Sequence, residues 1–107
     1  MLTQFANSVM EQNAAIERHD PITGNEFARK YIEASSVFLN AGPKGINAFA
    51  VLLKDDRDAV RVMAASCLLP HRTAQALPIL RAAATGRGIT AFGAMMTLKR
   101  WEEDEWR

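Results

Sequence analysis

Cysteine is nearly absent from these 107 residues: Cys67 stands alone, beside two histidines and one tyrosine. A lone thiol forms no intrachain disulfide, and among its apolar neighbours Cys67 reads as a reduced structural side chain. Two histidines and one cysteine, with no closely spaced ligand pair, do not make a zinc site, and no cofactor is expected. Long hydrophobic runs are missing too. No stretch nears the roughly 20 apolar residues of a membrane-spanning helix. The opening Met-Leu-Thr-Gln-Phe-Ala-Asn-Ser has no basic segment followed by an apolar core. It therefore does not read as a signal peptide, and the expectation is a cytoplasmic protein. Strand-like alternation is absent, because Val, Ile and Thr fall at helical spacing. With 13 basic and 12 acidic side chains the formal net charge is +1, so total charge excludes little.

What is present is helical punctuation in a chain long enough for one domain with its own core. Six segments are predicted. Leu2, Phe5, Ala6, Val9 and Ile16 recur at helical steps until His19-Asp20-Pro21 ends the first. Thr23-Gly24-Asn25-Glu26 fits a capping box, with Ile22 and Phe27 as its hydrophobic staple. Phe27, Tyr31, Ala34 and Phe38 then form one stripe, and Gly42-Pro43 stops it. Ile46, Phe49, Ala50 and Leu53 share a face of the third helix. Val60, Met63, Ala64, Cys67 and Leu68 share one on the fourth, with Asp55 or Asp56 as N-cap and Asp58 near the positive helix start. Thr73 is the expected cap of a fifth helix carrying Ala76, Leu77, Leu80 and Ala83, with Pro78 in or just after its first turn. After Gly86-Arg87-Gly88, the last helix is apolar nearly all round: Ile89, Ala91, Phe92, Met95, Met96, Leu98 and Trp101. Such a helix is expected to be sandwiched between neighbours. Glu102 to Arg107 reads as a solvated tail.

Residues 46–69 resemble a HEAT-like repeat. The acidic turn at Asp55, then Val60-Arg61, then Ala64-Ala65 matches that family's turn and second helix. The resemblance implies structural roles for Asp55, Val60, Arg61 and Ala64 and antiparallel helix pairs in a short right-handed superhelical stack. The pattern departs at Arg57, where the family often has an acidic residue. Leu77-Pro78-Ile79-Leu80 and the Ala91 to Leu98 stretch match a second unit loosely, at an offset of roughly 27–29 residues against the ~40 usual for such repeats. On this reading residues 1–41 are a capping helical hairpin and residues 42–107 two short repeats. Taken whole, the chain also resembles a family of short bacterial helical proteins classed as a domain of unknown function.

Chemistry has few footholds. His19-Asp20 reads as a turn with Asp20 as a cap rather than an acid–base pair. Cys67 and His71 are four residues apart, but Pro70 intervenes and Cys67 lies on the apolar stripe. Asp55, Asp56 and Asp58 lack the glycine and distal glutamate of a calcium loop. No catalytic site is therefore expected.

Charge is unevenly spread. From Ala59 to Arg100 there are six basic residues (Arg61, Arg72, Arg81, Arg87, Lys99 and Arg100) and no acidic one; the first 56 residues carry five basic and seven acidic side chains. Such asymmetry attracts anionic partners, although interleaved aromatics for base stacking are absent. The leading expectation is a non-enzymatic protein-interaction module, adaptor or immunity-type, binding a protein partner or a second copy. Arg57, Arg72, Arg81 and Arg87 are its candidate partner surface. The alternative is a small nucleic-acid-binding protein using residues 59–100.

Overall fold

The apolar spacing becomes six α-helices in the computed structural model, which describes residues 2–104. They are α1 (Leu2–Glu17), α2 (Pro21–Asn40), α3 (Pro43–Ala50), α4 (Asp58–Leu68), α5 (Thr73–Ala84) and α6 (Gly88–Asp104), with a 3₁₀ turn at Val51–Lys54. Every regular element among the described residues is helical. None is long and apolar enough to cross a membrane. The chain divides into two compact units, Met1–Leu52 and Leu53–Arg107. The pairing of α3 with α4 suggested by the spacing falls across that division. Glu105, Trp106 and Arg107, in the expected tail, lie outside the described residues.

In the first unit α1 packs along α2, and α3 packs on α2. Its core is aromatic. Phe5 and Phe49 are fully buried and meet edge to face, with ring centroids 4.8 Å apart. Tyr31 meets Phe5 at 5.9 Å, and Phe38 tilts against Phe49 at 5.6 Å. Such pairs add about 0.5–1.5 kcal/mol beyond the burial of their area.

The joint between α1 and α2 is set by backbone chemistry. His19 N–H donates to the Ile16 carbonyl and Asp20 N–H to the Ala15 carbonyl, which closes α1 in a Schellman motif with His19 left-handed at φ 59°. Asp20 then caps α2, its carboxylate accepting from Thr23 N–H at 3.1 Å, and Pro21 opens the helix. This corrects the capping box expected at Thr23. Pro21 has no N–H to lose and its φ is already helical, so the helix starts one turn earlier than Thr23. Ile22, 74% exposed, forms no staple. At the next joint Gly42 adopts φ 81°, and a Cβ on Gly45 would collide with the Phe38 carbonyl oxygen, so α3 comes close to α2 only through glycine.

The second unit is built from α4, α5 and α6, each packed on the other two. Val60, Ala64 and Leu68 of α4, Ala76 and Leu80 of α5, and Ala94 of α6 are fully buried. Ser66 and Thr97 meet at 3.3 Å between α4 and α6, while each hydroxyl also bonds a carbonyl four residues back. Thr73 is the first residue of α5 rather than its cap: Arg72 occupies the cap position, and the Thr73 hydroxyl donates to the Leu69 carbonyl. Pro78 lies in mid-helix. Its missing N–H would have met the carbonyl of Ala74, and both residues are exposed, so water can take that bond.

Candidate interaction site

The turn before α4 is held by its own charges. Asp55 accepts from Arg57 N–H at 2.9 Å and receives the Arg57 guanidinium as a fork, with both contacts at 3.0 Å. These bonds hold the Asp55 carboxyl below its ordinary value; the Arg57 side chain is the largest cause, and they raise Arg57 in turn. Arg61 donates to the Asp55 carbonyl at 2.8 Å and pairs with the Asp58 carboxylate, which stands in the first turn of α4. Neither Asp55 nor Asp56 is the helix cap; Arg57 occupies that position without a side-chain bond. Arg57, expected on a partner surface, spends its guanidinium on Asp55.

The remaining basic residues lie on several elements. Arg72 is half-buried beside the start of α5, and Arg81 is exposed in the last turn of α5, where a cation suits the helix dipole. Arg61 and Arg87 line one groove of about 540 Å³ with Asp58 on its rim and Val62, Ile79 and Ala91 in its wall. Arg100 lines a different cleft with Ser66, Thr97 and Trp101. The Trp101 indole nitrogen is buried there without a hydrogen-bond partner among the described residues. His19 and His71 are both exposed and belong to different units; Cys67 is half-buried. No group of three or more His, Cys, Asp or Glu among the described residues is placed to hold a metal ion.

The largest departure from expectation is α6. Its buried residues are the small ones, Ala91 and Ala94. Phe92, Met95 and Met96 are instead 62%, 51% and 38% exposed, so α6 is not sandwiched and Phe92 is not core. At 3.6 residues per turn these three share one outward face with Lys99 and Glu103, which are also exposed. The sequence signal was the position of the large side chains: Phe92 and Met96 lie across the helix from Ala94, the residue small enough for close packing, and Met95 flanks them. A second apolar row crosses α2 in the first unit, where Ile22 and Ile32 line a shallow depression with Ala28 and Arg29. Comparison with known proteins yields no match to a family model, a curated protein or a solved structure.

Proposed function

We propose that this chain is a non-enzymatic protein-interaction module on a HEAT-like helical scaffold, with the outward face of α6 as its working surface. The observation that carries this reading is the exposed group Phe92, Met95 and Met96 on one side of one helix. Contiguous apolar surface of this kind marks places that another macromolecule covers. Methionine also adapts its shape to a partner at little cost. The scaffold reading draws support from the Asp55–Arg57 and Asp58–Arg61 pairs, which stiffen the turn where the resemblance puts structural residues. The nucleic-acid alternative has less support: Asp55 and Asp58 neutralise Arg57 and Arg61, and the other cations are spread over separate clefts and helices.

A photo-crosslinking residue at position 92, expressed in cells of the source organism, tests this. Discrete protein adducts are expected at 92, but not from the same probe at exposed Gln75 on α5. Equal labelling at both positions, or none at 92, would overturn the reading. Adducts that nuclease removes would transfer the function to nucleic-acid binding.

A further inference from the structure

We infer that the partner of the α6 face is a second copy of this chain, docked α6 against α6 in antiparallel orientation about a two-fold axis near Met95 and Met96. The inference rests on the interaction-module reading and names its partner.

Spacing is the first support. Ile89, Phe92, Met96, Lys99 and Glu103 follow alternating steps of three and four along α6. This is the seam spacing of paired helices. Ile89 is half-buried, and the other four are exposed. A two-fold contact is self-complementary, so one such seam is enough to build it.

Charge sets the direction. The first turn of α6 has no acidic residue and its last turn no basic one. Exposed Arg87 immediately precedes the helix, and exposed Glu102 and Glu103 stand at its far end. Within a single chain this arrangement is unfavourable, because carboxylates at a helix C-terminus oppose the macrodipole. An antiparallel partner reverses the sign: each acidic end then lies beside the positive start of the other α6 and its Arg87. The same pairing brings Lys99 of one copy over Phe92 of the other, an arrangement suited to a cation–π contact. A parallel pair would set acidic end against acidic end. With three large apolar side chains a side, the contact falls below the roughly 800 Å² per partner of a standard interface. The dimer is therefore weak and depends on concentration.

Sedimentation of the purified full chain in low-salt buffer, from micromolar to millimolar concentration, reads it out. Wild type should pass from monomer to dimer. Phe92→Glu/Met95→Glu should stay monomeric with unchanged helical circular dichroism, since both side chains lie outside the core. Arg87→Glu and Glu102→Lys/Glu103→Lys should each weaken the dimer about tenfold, and neither change offends its own helix dipole. Weakening by each variant alone separates antiparallel from parallel, because in a parallel pair each would only exchange one like-charge contact for another. An equimolar mixture of the two then checks that charge at the ends is the cause. It should associate as tightly as wild type, because both ends of an antiparallel heterodimer are again complementary. A wild type that remains monomeric to millimolar concentration would overturn the inference, while discrete adducts from position 92 would leave the interaction-module reading standing. Charge variants that each dimerise as tightly as wild type, or a mixture no tighter than its components, would overturn the antiparallel arrangement.

Discussion

Rings fill the interior of the first unit, whereas methyl groups line much of the second. Phe5, Val9 and Phe49 are the bulkiest fully buried side chains before Leu52. After it they are Val60, Leu68 and Leu80, accompanied by buried Ala64, Ala65, Ala76, Ala91 and Ala94. The difference decides how each unit tolerates change. A core built on a few rings is sensitive to losing one, because the neighbours only partly collapse into the gap. Helices that meet through alanine are sensitive to gaining atoms, because close-packed backbones have nowhere to move. It also decides what is left outside. With alanines turned inward, the bulk of α6 is turned out as Phe92, Met95 and Met96, and the second unit acquires an apolar surface by the way it packs.

The comparison breaks most visibly at Ala64, which has no exposed surface. Arginine there would push a long charged chain into a helix interface and leave its charge without water. A loss of about 4–5 kcal/mol or more is expected, enough to unfold a marginally stable domain. Circular dichroism and thermal melting check it. A normal cooperative transition at the wild-type temperature would show that α4 does not pack through Ala64.

Next in size is Phe49→Ala, the opposite insult in the other unit. It removes the ring between Phe5 and Phe38 and should cost about 3–5 kcal/mol in urea unfolding. Phe49→Leu, which keeps most of the volume, should cost less than half of that. If alanine and leucine cost the same, the ring geometry rather than the filled volume holds the first unit.

Helix number and most of the α4 stripe are legible in the sequence because both depend on local periodicity, although Met63 and Cys67 of that stripe are only half-buried while Val62 and Ala65 are buried instead. Val60, Ala64 and Leu68 recur at helical spacing, and burial follows. The start of α2 lies one turn before the one the capping box suggests. Thr23-Gly24-Asn25-Glu26 and Asp20-Pro21 are both valid start signals, and only the folded chain shows which one the backbone uses. The face of α6 is hidden from the sequence for a different reason. Periodicity reports which residues are apolar but not how many neighbours are present to cover them, and a helix apolar all round needs cover on two sides. The candidate site escaped notice on the same ground, since Phe92 and Met96 look like core until the packing of Ala91 and Ala94 shows which side faces in. Arg57 looks available in the sequence, which does not disclose that Asp55 folds back onto it.

The smallest predicted effect separates the two units by acid. Hydrogen bonds from Thr23, its side chain first and then its backbone, hold the Asp20 carboxyl below its ordinary 3.8 in the first unit. Arg57 does the same for Asp55 in the second. Each carboxylate therefore contributes stability that is complete above its unfolded value and is lost as pH falls through the lower folded value. Asparagine at position 20 still accepts from Thr23 N–H but carries no titrating charge. At neutral pH wild type should melt slightly above Asp20→Asn, because the charge also favours the start of α2. As pH falls from about 4 toward 2 the two melting curves should converge, while the acid sensitivity due to Asp55 persists in both. A gap between wild type and Asp20→Asn that stays constant across that range would mean that Asp20 caps α2 by geometry alone, and that the acid response belongs to the second unit.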